Sequence, residues 1–154
     1  ELVAGCAKGR ALQLAVAAPG LATEDGGGIL AWRNGPRRST FLADLERSLI
    51  ASGARLAAPP TSICPDSVAC AVGEHSAEAG ALRGVSNGLC ISGGSGVGEA
   101  VLVEGRCLAL DELEPPLPRA WELGGGGECS LEDRVAPGRV LGGITPAMMR
   151  TQSW

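Results

Sequence analysis

Three features of this chain of 154 residues carry groups able to do chemistry: a glycine-rich run at 93–98, a lone histidine, and six cysteines. The run Gly93-Gly94-Ser95-Gly96-Val97-Gly98 follows Leu89-Cys90-Ile91-Ser92, a short apolar stretch that reads as a strand. Glycines just past a strand free backbone N–H groups to cradle a phosphate. Gly94, Ser95, Gly96 and Gly98 are therefore the candidate ligand-binding residues. The run departs from the known phosphate loops, however. A dinucleotide fingerprint needs glycine at its first, third and sixth places, and Ser95 stands at the third. A P-loop closes on Gly-Lys-Ser/Thr, whereas Gly98 is followed by Glu99, whose charge would repel phosphate. The competing reading is a tight structural turn.

His75 is the only histidine and the only catalytic candidate. A base needs a nucleophile and an orienting acid within hydrogen-bond reach. Glu74, Ser76 and Glu78 are its sequence neighbours, but adjacency does not make a triad. Gly93-Gly94-Ser95-Gly96 continues with Val97, so it is not a Gly-x-Ser-x-Gly elbow. A loop histidine without special duty is the default.

Most of the cysteines lie in apolar runs such as Val68-Ala69-Cys70-Ala71-Val72, where a free thiol packs as a small hydrophobe. No pair has CxxC spacing, and one histidine leaves no zinc quartet of the usual kind. Buried free thiols, no metal, no cofactor and a reducing, cytoplasmic setting are the expectations. Cys64, beside Pro65-Asp66, is the cysteine expected to be exposed, with no cation next to it to activate the thiol.

The elements that must position these groups are built from small residues. Hydrophobic residues make up 45% of the chain, yet there is one Phe, three Trp and no Tyr, against 24 Gly. Ala, Val, Leu and Ile must fill the core, and close backbone approach must compensate for their small areas. The net charge is −4 and the basic residues are scattered, which argues against nucleic acid as a partner. No apolar stretch nears the roughly 20 residues of a membrane helix. No signal peptide is visible, and the start at Glu1 rather than Met suits a fragment or a processed form.

Along the chain, Glu1 to Ala7 reads as a strand, and Ala11 to Ala18 as a buried strand or short helix ended by Pro19-Gly20. Ile29 to Trp32 reads as a strand. Thr40 to Ser52 has the clearest helical spacing, with Phe41, Leu42, Leu45, Leu49 and Ile50 on one face, Ser39 or Thr40 as cap and Gly53 at the C′ position. Ser67 to Val72 reads as the central strand, and Ser76 to Val85 as a second helix. Val101-Leu102-Val103 and Cys107 to Leu110 flank Glu104-Gly105-Arg106, a hairpin pattern, with a helix from Gly98 to Glu104 as the alternative. The pattern fades from about residue 119. Together these give one α/β domain over 1–154, a layered mixed sheet with helices packed on it.

Several segments, taken in order, resemble the later half of the β-ketoacyl synthases, the thiolase-fold condensing enzymes. Glu1 to Ala7 is similar to the strand before their Gly-Gly-Ala-Glu turn, and Glu24-Asp25-Gly26-Gly27-Gly28-Ile29-Leu30 resembles their Gly-Glu-Gly-Ala-Gly-Ala-Leu-Val segment. Phe41 to Gly53, Asp66 to Val72 and Ala77 to Arg83 resemble the elements around their first histidine motif. Ile91-Ser92 with Gly98-Glu99-Ala100 is similar to their Ser-x-Lys-Gly-x-x-Gly-His loop, with Gly94 in place of Lys and Glu99 in place of His. The His-Gly-Thr-Gly-Thr motif is absent and the nucleophilic cysteine belongs to the half not present. The resemblance therefore implies a thiolase-like half domain, non-catalytic alone, working with a condensing enzyme or an acyl carrier protein in acyl-chain assembly.

A rival resemblance is to TsaB, the dimerisation subunit of tRNA threonylcarbamoyladenosine synthesis, which has the actin-like ATPase fold. There Leu14 to Ala18 would be the first strand, Phe41 to Gly53 a helix, and Gly80 to Leu89 a Gly-Leu-Arg helix. An accessory or structural subunit of neither family is the third expectation.

Overall fold

The structure, a computed structural model, describes residues 9–31, 35–94, 96–124 and 130–135. The strand expected at Glu1 to Ala7 lies outside them. Contacts divide the chain into two compact units, Glu1–Asp66 and Ser67–Trp154.

In the first unit, β1 (Val16–Ala18) pairs in parallel with β4 (Ile63–Pro65), Val16 opposite Ile63. A parallel bridge between Leu12 and Leu56 prolongs the pair toward the amino end. β2 (Leu21–Ala22) and β3 (Ile29–Ala31) form an antiparallel hairpin. Its loop is closed by polar groups rather than by packing. The Gly28 N–H donates to Thr23 Oγ1 at 2.8 Å, and the Gly27 N–H to Asp25 Oδ1 at 3.0 Å. The loop carbonyls then tie the unit together: Gly27 accepts the Leu42 N–H at 2.9 Å and Gly26 the Ile63 N–H at 3.0 Å.

Helix α1 (Phe41–Ala51) follows the apolar spacing and stops at Gly53, whose φ of 86° suits a residue without Cβ. Thr40 takes the N-cap position but makes no side-chain cap bond; its hydroxyl donates to Asp44 instead, at 2.8 Å. Of the expected apolar face only Leu42 is buried, and Ile50 stays exposed. Ala18, Ile29, Leu42 and Ile63 make the core, with Val16 and Phe41 packed on it.

The second unit holds an antiparallel sheet in the order β5 (Gly88–Gly93), β6 (Val97–Val103), β7 (Arg106–Leu108). Glu104-Gly105 turns β6 into β7 with φ of 51° and 78°, the pair of positive values that a two-residue hairpin matching the sheet twist requires. The Glu104 N–H donates to Asn87 Oδ1 and the Gly105 N–H to the Ser86 carbonyl, so the turn is held from outside. Strand, not helix, thus wins between Gly98 and Glu104. Alternation along β6 buries Ala100 and Leu102 and leaves Val101 and Val103 on the other face.

Two expectations are corrected in this region. Ser67 to Val72 is not a central strand but most of helix α2 (Asp66–Ser76). Its buried residues Ser67, Val68 and Ala71 recur at helical spacing, and Asp66 in the first turn complements the helix dipole. Ser76 to Val85 is not a helix: Ser76 ends α2 and a series of turns follows. Gly80 lies so close to the Glu74 carbonyl that a Cβ would fall on it, and Gly84 has φ 74°. A continuing helix could meet neither demand.

A 3-10 turn at Leu110–Glu112 and a short helix α3 (Leu131–Val135) complete the described elements. The fold is thus a mixed α/β one whose described sheets have two, two and three strands. Among the described residues no helix is long and apolar enough to cross a membrane.

Candidate functional site

Strand β4 runs directly into α2, so Asp66 stands at the carboxyl end of a parallel strand and in the first turn of a helix. Crevices beyond the carboxyl ends of parallel strands are where open α/β sheets bind ligands. Asp66 is exposed there. Its neighbour Ser67 is buried and belongs to the second unit, where it lies against Gly98: a Cβ on Gly98 would come within 3.0 Å of the Ser67 Cβ and 2.8 Å of Ser92 Oγ. The beginning of α2 and the base of the glycine run are therefore in van der Waals contact through Ser67.

The glycine run is the turn between β5 and β6, joining two antiparallel strands. Among the described residues a strand, not a helix, follows it. What it offers is backbone. The exposed Gly94 donates its N–H to the Gly96 carbonyl at 2.9 Å, and Ser92 Oγ donates to the Gly98 carbonyl at 3.2 Å. Ser95 lies outside the described residues. The Val97 N–H, at the rim of the turn, donates to Glu132 Oε1 at 3.2 Å. A Cβ on Gly96 would fall on that same oxygen, so glycine is what lets the carboxylate reach the turn. Glu99, expected to repel phosphate from this place, turns its carboxylate to the Ala120 N–H at 2.6 Å.

His75 sits half-buried in the last turn of α2. Eight residues of helix separate it from Ser67, about 12 Å along the axis at 1.5 Å per residue. The histidine and the glycine turn are thus at opposite ends of one helix. The acid beside it, Glu74, receives the Ala81 N–H at 2.7 Å and so holds the turn after the helix.

The cysteines correct a further expectation. Cys64, Cys90 and Cys107 are half-buried and Cys70 is exposed; all four are free thiols, but none is buried in the core. Cys6 and Cys129 lie outside the described residues. Partial burial pushes the Cys90 thiol above its ordinary range, and the nearby Cys70, Glu74 and Cys107 add to the shift. That favours an unreactive thiol. Among the described residues no group of His, Cys, Asp and Glu is placed to hold a metal ion.

Sequence reasoning missed Asp66 and Glu132. Asp66 had a usable signal, an acid directly after a short strand and before an apolar run at helical spacing. Glu132 had none, since it meets Val97 across 35 residues of sequence.

No protein-family profile matches the chain, and no curated protein matches it in sequence. Solved structures do match it in shape. A ROK family glucokinase from Streptomyces griseus, in complex with glucose and AMPPNP, superposes with a TM-score of 0.60 at 19% identity, over 90% of this chain and 44% of that one. An inorganic polyphosphate/ATP-glucomannokinase from Arthrobacter gives 0.58 at 20% identity, over 90% and 51%. A ROK family transcriptional regulator, a homologue of the E. coli Mlc protein, gives 0.53 at 18% identity, over 90% and 35%. The chain thus spans about half, or less, of the length of these proteins.

These likenesses overturn the resemblance to β-ketoacyl synthases, and with it the thiolase-like half domain and the role in acyl-chain assembly. The matching segments were short and rich in glycine and alanine, which many layered α/β chains supply. The TsaB resemblance named the actin-like ATPase fold, and at that level it agrees with the structures found. Its helix from Gly80 to Leu89 is absent, replaced by turns and the start of β5. The likeness shows the fold alone: this chain is folded like part of these three proteins.

Proposed function

We propose that this chain is the part of a ROK-type sugar kinase that carries the acceptor for the sugar's hydroxyl proton. The observation that carries the reading is Asp66 at the carboxyl end of β4, at the entry to α2, in a chain whose fold is similar to that of a glucokinase and a glucomannokinase. Phosphoryl transfer needs little covalent help from the protein; it needs positioning, charge and a group that takes the hydroxyl proton. In this reading a sugar hydroxyl oxygen attacks the terminal phosphorus of the donor, and the bond from phosphorus to the bridging oxygen breaks. The hydroxyl proton passes to the Asp66 carboxylate.

Titration calorimetry with glucose and with AMPPNP, then a coupled assay for ADP release, tests this. Glucose-dependent ADP release is expected, falling about 10²–10⁴-fold in Asp66→Asn while glucose binding persists. Release unaffected by Asp66→Asn removes the aspartate from the mechanism. An absence of heat from both ligands removes the kinase reading altogether.

A further inference from the structure

Glu132 is held over the glycine turn by a chain of fixed contacts. Its backbone N–H donates to the Ala120 carbonyl at 3.1 Å, while the Ala120 N–H is taken by the Glu99 carboxylate of β6 at 2.6 Å. Ser130 and Asp133 bond each other reciprocally around it: the Asp133 N–H donates to Ser130 Oγ and the Ser130 hydroxyl to Asp133 Oδ2. The Leu131 N–H reaches the Leu123 carbonyl at 2.6 Å. The Glu132 carboxylate is thus delivered by backbone to one place, half-buried, with Oε1 on the Val97 N–H and against the bare Gly96 α-carbon. An anion from the protein itself occupies the donor that an anionic ligand would need.

We propose that Glu132 is a built-in competitor for phosphoryl groups at the β5–β6 turn, a latch that a phosphate-bearing ligand must displace before the turn can serve it. The inference rests on the kinase reading, because it takes that turn as the phosphoryl-facing element. A carboxylate and a phosphate oxygen seek the same N–H donor, and their charges repel at short range, so the two do not share the turn. Held on a scaffold rather than on a free loop, the carboxylate acts at high effective concentration. The turn consequently discriminates against weakly held anions such as single phosphates. It yields to ligands whose further contacts outweigh the latch.

The test uses the full chain and inorganic tripolyphosphate as probe. Glu132→Gln keeps the shape and a neutral acceptor while removing the charge; Glu132→Ala removes both. Binding about tenfold tighter in Glu132→Gln, and at least as tight in Glu132→Ala, is expected, the size of one charge-assisted hydrogen bond's advantage over a neutral one. The Val97 amide resonance should shift on probe addition in all three proteins, and in Glu132→Ala before any probe is added. Equal or weaker binding in both variants, with tripolyphosphate bound by the parent, overturns the latch and leaves the kinase reading standing. No binding by any of the three overturns the turn as a phosphoryl site, and the latch with it.

Discussion

The two units keep their interiors dry by opposite means. In the first, four side chains from four elements meet, among them Ile29 at 1% exposure, while no strand exceeds three residues. Its backbone order comes from the polar loop Thr23–Gly28, which bonds itself and then α1 and β4. In the second, strands of six and seven residues carry the order, and the fully enclosed side chains Ala71 and Ala100 are single methyl groups. A core of few large side chains is sensitive to loss of atoms. Positions filled by methyls, as Ala71 and Ala100 are in a unit that also buries Leu102 and Leu110, are sensitive to gain.

The sharpest way to break this comparison is Ile29→Ala. Truncating a buried isoleucine is expected to cost about 2–5 kcal/mol, and residue-resolved hydrogen exchange should show the loss first in β1, β3 and β4. Equal loss of protection across β5–β7 would show that the contrast between the units has no energetic meaning. Ala100→Leu is the mirror experiment, with an expected cost of about 1–3 kcal/mol from overpacking. Denaturant unfolding measures it, and an unchanged midpoint would mean that Ala100 has room beside it. Ala100→Gly should cost only about 1 kcal/mol, from backbone freedom and a missing methyl.

The smallest effect expected concerns the polar loop. The Thr23 hydroxyl, with the Gly27 N–H behind it, holds the Asp25 carboxyl below its ordinary range. A group whose folded value is depressed adds stability above its unfolded value, near 3.9, and loses it as pH falls through the folded value. Thermal melts of the parent should therefore weaken slightly more steeply on acidification than those of Asp25→Asn. Parallel curves for the two proteins would mean that the charge on Asp25 contributes nothing to the loop.

Legibility followed the range of the forces involved. Helix α1 could be read because its apolar spacing and Gly53 act within a few residues, and the β6–β7 hairpin because Glu104-Gly105 meets a local demand for positive φ. Ser67 to Val72 misled because a short run of Val, Ala and Cys suits strand and helix equally; its fate is decided by which side chains are enclosed and by Asp66 at its head. Ser76 to Val85 misled because the close approach of Gly80 to the Glu74 carbonyl is a contact between turns. The fold class was legible as α/β, but the finer likeness was not, since alanine and glycine in common segments distinguish few folds. In the site, the glycine run was visible and its occupant was not: Glu132 reaches it through a half-buried bond between segments far apart in sequence.

The turn at Glu104-Gly105 also acts as a ruler. It fixes Val103 opposite Arg106, Leu102 opposite Cys107 and Val101 opposite Leu108. Because strand side chains alternate with a period of two, slipping the pairing by a single residue would send a whole strand's inward groups to the opposite face. Ala100 and Leu102 would trade places with Val101 and Val103. Length changes that a surface loop absorbs would here threaten the register of the sheet, so this two-residue corner tolerates an insertion or a deletion poorly.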